Sequence, residues 1–375
     1  MTARIRTTLL AAAMAALIGC AGGAVRDPSP APAPAIAAAT TQPVVEIGTL
    51  QDAPYRITLP AGWNGELVVN AHGYENVGSP RQEPWPAAGG MQPLLARGFA
   101  VAESGYSAQG WAIGEAIADT ERLRAHFVAR HGAPRRAWLV GWSMGGLVAL
   151  ASAERHARAW NGVVAMCGVG VSSETALARA VLAPLAAFDA LYPGVLPQAP
   201  DGLADAALPG EADGDAIEAA LAGDEARAGR LAQRFDLQRG DMAGALWLYY
   251  VVLRDAAQRA GGFPVDSAPG ADGADGDAAA LGVRIRRYTA DPRALASVRA
   301  SGALTGDAPV PVVMQPNATD PIVPARFSSG YLALAEGAGR GDRVRMLPGV
   351  GQGHCRFAPE SVVTALDTVR AQAQP

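Results

Sequence analysis

Five residues, Gly141-Trp142-Ser143-Met144-Gly145, set a serine between two glycines with one residue on each side. Residues 137–140 before them are an apolar run of strand type, and residues 146–151 after them are apolar and helix-compatible. A serine on a sharp strand-to-helix turn has its hydroxyl lifted clear of the sheet edge, where it can act as a nucleophile. Glycines on both sides let strand and helix approach without Cβ clashes. In a chain with 44 glycines the plain alternative is a glycine-rich turn carrying a solvated serine.

A serine hydroxyl is a poor nucleophile until an imidazole takes its proton and a carboxylate holds that imidazole in the right tautomer. Around a turn of this kind the chain order is serine, acid, histidine. Of the five histidines, only His354 lies well downstream of Ser143, on a glycine-rich loop after a short apolar run. Residues 310–315 read as a buried strand, and Asp320 lies on the loop that follows it. Asp307 and Asp342 each precede a strand and so stand at the wrong end. Asp320 is the orienting carboxylate on this reading, and a turn aspartate before proline is the alternative.

Hydrolysis through a serine also needs donors for the oxygen of the tetrahedral intermediate. Residues 67–71 read as a strand, with His72-Gly73-Tyr74 at its end. The Met144 amide, at a helix N-terminus, and the Tyr74 amide are the expected pair, with Gly73 allowing close approach. His72 precedes the serine and is expected to order the loop.

The elements that must carry these residues alternate along the chain. Residues 98–102 read as a strand. Residues 113–130 read as an amphipathic helix with Ile113, Ile117, Thr120, Leu123 and Phe127 on one face. The serine strand, its helix and a strand at 162–166 follow. Such alternation predicts a parallel α/β sheet. Well over a hundred residues then separate Cys167 from the Asp320 strand, far more than an ordinary crossover needs. Apolar helical stretches at 175–192, 215–235 and 242–260 predict a helical cap over the serine. Trp247, Tyr249, Tyr250, Phe263, Trp111 and Met144 are candidate pocket linings, or simply core; Trp142 reads as packing. A peptidase would need an acidic cap residue for a substrate amine, and Asp189, Glu211 or Asp241 could serve.

Taken together, Gly141–Gly145, the His72-Gly73 loop, residues 320–324 and Gly353-His354-Cys355 resemble the α/β-hydrolase superfamily over residues 55–372. The resemblance implies an α/β-hydrolase fold: a mostly parallel sheet of about eight strands, flanking helices, and hydrolytic chemistry at the strand C-termini. It implies no particular substrate, since one fold hosts many activities. Carboxylic ester hydrolysis is the first expectation. A prolyl-type aminopeptidase, an oligoester depolymerase and a non-catalytic binding module are the others.

The N-terminus carries Arg4 and Arg6, then a short apolar stretch at 7–18 that is too short to span a bilayer. It ends in Leu17-Ile18-Gly19-Cys20-Ala21, which resembles the lipobox of bacterial lipoproteins. That resemblance implies cleavage before Cys20, lipidation of Cys20 and, with Ala21 next, an outer-membrane destination. A plain secretory signal with an incidental cysteine is the alternative. The expected organisation is a signal at 1–19, a Pro/Ala-rich tether at 20–43, the first part of the core at 44–171, the cap at 172–305 and the rest of the core at 306–375.

With Cys20 lipidated, Cys167 and Cys355 remain as an even pair for an oxidising compartment. A bridge between them would pin the histidine loop to the sheet; two buried thiols are the alternative. Half the chain is hydrophobic and 18% is charged, a globular composition. Formal charge is −4, or −6 once Arg4 and Arg6 leave with the signal, so no basic footprint for nucleic acid exists. The sequence offers no metal-ligand cluster and no phosphate loop, and no cofactor is expected.

Overall fold

The computed structural model describes residues 42–197, 201–204, 210–270 and 273–373. The signal, Cys20 and nearly all of the expected tether lie outside the described residues. The described residues belong to one compact unit.

Eight strands make one sheet: β1 (Val44–Leu50), β2 (Ala53–Leu59), β3 (Glu66–Ala71), β4 (Ala100–Ser104), β5 (Arg136–Trp142), β6 (Gly162–Met166), β7 (Val312–Gln315) and β8 (Val344–Met346). Their order is β1-β2-β4-β3-β5-β6-β7-β8. The first two ladders are antiparallel and the other five parallel. This is the α/β-hydrolase fold. Strands β3, β4 and β6 are buried along their whole length, as parallel strands covered on both faces must be. Leu67, Val69 and Leu139 face one apolar cluster, while Val68, Trp138 and Val140 face another. Strand β2 instead alternates, burying Ala53, Tyr55, Ile57 and Leu59. It was not expected from the sequence, nor was β1. The two pair through Gln51 and Asp52, both in the left-handed region at φ 48° and 67°.

Helix Ile113–His131 buries the expected face of Ile113, Ile117, Thr120, Leu123 and Phe127. Between β6 and β7 in sequence lies a third apolar cluster, built mainly of helices. Its first helix runs from 173 to 191 and widens into π-type turns at Ala176–Leu182. The single helix expected at 215–235 is two, Glu211–Gly223 and Glu225–Phe235. They break at Asp224, whose side chain accepts from the Arg227 amide at 2.9 Å and so starts a new helix. Helix Met242–Ala260 falls where expected. Two more helices, Ala274–Leu281 and Pro292–Gly302, are not among the stretches expected from the sequence; both are short, and short helices carry few turns of apolar repeat. Tyr74, Trp111 and Ile322 pack against both this cluster and the sheet cluster.

Candidate active site

Ser143 stands between β5 and helix Met144–Arg155 at φ 54°, ψ −120°, a region costly for any residue with a Cβ. Its N–H donates to the Met166 carbonyl at 3.1 Å, and its own carbonyl accepts from Gly146 at 2.9 Å and Val169 at 3.0 Å. Neighbouring backbone thus over-determines the strained conformation. The glycines are required by space: a Cβ on Gly145 would lie 2.1 Å from the Ala71 carbonyl oxygen. A Cβ on Gly73 would lie 3.1 Å from that of Ser143, so the loop after β3 runs directly beside the serine.

His354 donates from Nδ1 to both oxygens of Asp320 at 2.9 Å, leaving Nε2 to accept from the Ser143 hydroxyl at 2.8 Å. Asp320 Oδ1 also accepts from the amides of Ile322 and Val323, each at 2.9 Å. Its side chain is 5% exposed, so the carboxylate is fixed in a largely dry setting. A serine, an imidazole and a carboxylate joined in this sequence can pass a proton away from the serine and hold the resulting imidazolium.

Three fastenings hold the histidine loop. Cys355 is joined to Cys167, at the end of β6, by a disulfide spanning 188 residues of sequence. Asn317 accepts from the Cys355 amide at 2.9 Å and donates to the Val350 and Arg356 carbonyls at 3.1 and 3.0 Å. The Gly353 amide donates to the Thr319 carbonyl at 2.9 Å. Asn317 was missed in the sequence; its one signal is a polar residue placed immediately after an apolar strand.

The amides of Tyr74 and Met144 have no hydrogen-bond partner among the described residues. Both are free to donate to an oxygen beside Ser143. His72 lies under this loop. Its ring stacks on Tyr106 at 4.0 Å, its Nδ1 donates to the Gly73 carbonyl at 2.7 Å, and the Tyr106 hydroxyl donates to its carbonyl at 3.1 Å. Burial pulls its pKa down, which keeps it neutral, and it does not bond to Ser143, Asp320 or His354.

A cavity of about 60 Å³ opens at Ser143. Its walls include Tyr74, Trp111 and Met144 from the sheet side and Leu248, Tyr249 and Val252 from helix Met242–Ala260. Ile322, Val323 and Phe327 close another side. Three expected lining residues do not reach it. Trp247 donates to the Gly210 carbonyl at 2.9 Å, Tyr250 donates to Pro197 at 3.3 Å, and Phe263 packs on Tyr288 with ring centroids 5.3 Å apart. Helical spacing explains this: 247 and 250 project from other faces of the helix than 248, 249 and 252. Trp142 packs edge-on against Phe357. The Tyr249 hydroxyl, fully buried, donates to the Ile322 carbonyl at 2.8 Å, two residues beyond Asp320. Neither Asp189 nor Asp241 lines the cavity, and the side chain of Glu211 lies outside the described residues.

No family model matches the chain, and no curated protein does. Solved structures similar in outline include dipeptidyl peptidase 4 of Porphyromonas gingivalis, with 11% identity and a TM-score of 0.45 over 89% of this chain and 35% of that one. An esterase of Pyrococcus furiosus gives 12% identity and a TM-score of 0.44 over 88% and 90% of the two chains. The thioesterase domain of the curacin biosynthetic pathway gives 13% identity and a TM-score of 0.37 over 88% and 99%. This chain spans about a third of the length of the dipeptidyl peptidase.

Proposed function

We propose that this chain is a serine hydrolase that cleaves carboxylic esters through an acyl-enzyme. The observation that carries the reading is the continuous Ser143–His354–Asp320 hydrogen-bond chain at 2.8 and 2.9 Å beside a strained serine. His354 takes the proton as Ser143 Oγ attacks the carbonyl carbon. The amides of Met144 and Tyr74 hold the oxyanion. His354 returns the proton to the departing alkoxide, and then activates a water that releases the acid and free Ser143. Asp320 orients the ring and stabilises its charged form. The apolar walls exclude competing water and suit an acyl or alkyl group. Aminopeptidase action has less support, because an amine-bearing substrate needs a carboxylate near the reacting centre and none lines this cavity among the described residues.

A fluorophosphonate probe should label wild-type protein at Ser143, and p-nitrophenyl esters from acetate to palmitate should be hydrolysed by wild type only. Turnover that survives Ser143→Ala would sink the nucleophile assignment. Labelling without turnover of any ester, beside turnover of proline or alanine p-nitroanilides, would make the chain a peptidase.

The envelope location belongs to the same proposal. The motif ending in Cys20 supports lipid anchoring, and a disulfide beside the histidine suits an oxidising compartment. Alkyne-palmitate labelling of cells making the chain should mark it, and Cys20→Ala should abolish the label. An unlabelled, freely soluble wild-type protein would remove the anchor.

A further inference from the structure

Beyond the Ser143 cavity lies a second one, of about 280 Å³. Three arginines line it from three elements: Arg179 from the first cap helix, Arg234 from helix Glu225–Phe235, and Arg326 from helix Ala325–Ser328 after the Asp320 loop. Asp277 is the acidic lining residue, and Arg234 holds it at 2.6 Å. Burial raises the Asp277 pKa, while Arg234, which touches it, and Arg326 and Arg179, which act on it through space, pull it down. Arg179 forms no hydrogen bond or ion pair among the described residues. Arg326 donates to the Phe235 carbonyl at 2.7 Å, and its nearest acid, Asp236, is 3.9 Å away and largely exposed. Partial burial pulls the Arg326 pKa below its ordinary value, against Asp236 and Asp277, while 42% of its side chain stays exposed to solvent and to an incoming ligand.

Phe327 is a wall of both cavities. A substrate held at Ser143 that extends past this side chain enters the second cavity. We infer that the arginine-lined cavity receives a carboxylate carried by the substrate, making the preferred substrate an ester that bears a free carboxylate. Guanidiniums suit a carboxylate because their paired N–H groups match its two oxygens, and the Phe327 ring supports the Arg326 guanidinium, which lies 4.6 Å from its centroid. The inference rests on the ester-hydrolase reading and adds a substrate class to it.

Matched substrates test it. Mono-4-nitrophenyl glutarate against 4-nitrophenyl valerate places the carboxylate on the acyl side; 4-acetoxybenzoate against phenyl acetate places it on the alcohol side. Wild type should favour the anionic member of at least one pair by about tenfold or more in kcat/KM, a preference that salt weakens. Arg179→Gln together with Arg326→Gln should collapse that ratio, and Arg326→Lys should restore part of it, with thermal melts confirming folded protein. Equal kcat/KM within both wild-type pairs, or a ratio unmoved in the double variant, overturns the inference. Should no ester turn over at all, the hydrolase reading fails separately. Glutarate protection against thermal unfolding then decides: protection lost in the double variant upholds a carboxylate site, whereas no protection, or equal protection by inorganic phosphate, refutes it.

Discussion

The serine and the histidine of this site are held by opposite means. Ser143 is placed by what lies next to it in sequence: β5, a helix starting at Met144, and flanking glycines at 141 and 145 where a Cβ would strike backbone. His354 sits on a loop with little regular structure, tied to distant segments by Cys167, Asn317 and Thr319. The elbow is a product of short-range backbone geometry. The histidine loop is a product of contacts that form only when the whole sheet exists. A local device fails by steric insult, and a long-range device fails by loosening.

Substitutions can separate the two modes. Asp320→Asn keeps the loop in place but lets the imidazole adopt the wrong tautomer, so kcat should fall roughly 10⁴-fold with the thermal midpoint nearly unchanged. Retained activity would move the acid elsewhere. Gly145→Ala drives a methyl into the Ala71 carbonyl oxygen, 2.1 Å from its ideal position. Destabilisation on the order of 3 kcal/mol or more is expected by denaturant titration, because backbone on both sides has nowhere to go. A normal midpoint would show that the elbow is less crowded than described. Replacing Cys167 and Cys355 by serine should cost about 2–4 kcal/mol of stability. It should also lower kcat more than it raises KM, since the loop carries a base and not a binding wall. Equal stability of oxidised and reduced protein would contradict the fastening role.

Tyr249→Phe removes one buried donor to the acid loop and strands the Ile322 carbonyl, for a loss of about 1 kcal/mol. Its effect should appear in kcat, with the pH profile shifted, while a merely structural role would move only the melting temperature. The smallest effect belongs to Glu103, on β4 beside the strand that leads into the oxyanion loop. Burial pushes its pKa from 4.5 to about 7, against the Ala88 amide, Arg56 and Asn70, which lower it. The folded state therefore holds this proton more tightly than the unfolded chain. Stability is fullest below the unfolded pKa and declines as pH rises through the folded one. Glu103→Gln should flatten that decline between about pH 5 and 8 and stabilise the protein at pH 8 by about 1 kcal/mol. An unchanged pH dependence of stability would rule Glu103 out as its source.

The same contrast explains what could be read in advance. The elbow is visible because its strand, turn and helix are contiguous, and residues 137–151 carry the whole pattern. His354 and Asp320 could be chosen by chain order, since histidine is scarce and loops after strands are few. Strand β1 was hard to see because it exposes Val44, Val45 and Ile47 and lacks a clean alternation of apolar and polar residues, whereas β2 alternates and its signal was legible but missed. The cavity walls were half legible. Tyr249 was picked for being aromatic, but Leu248, Val252 and Phe327 look like any core residue, and only helix orientation decides which side chains reach Ser143. Nothing in the sequence spacing brings Arg179, Arg234 and Arg326 together; they meet only through the cap's packing.

The hydroxyl of Tyr249 has a bearing on how such a protein can change. It reaches from the cap to the strand-end loop that aims the histidine, so under the proposed function the part that would choose a substrate also steadies the part that would react with it. Exchanging the cap for one with a different pocket would therefore never be a clean swap of modules. A transplanted cap lacking this one buried phenol would accept new molecules and turn them over sluggishly, and recovery of speed would come from restoring a donor to Ile322 before any retouching of the pocket itself.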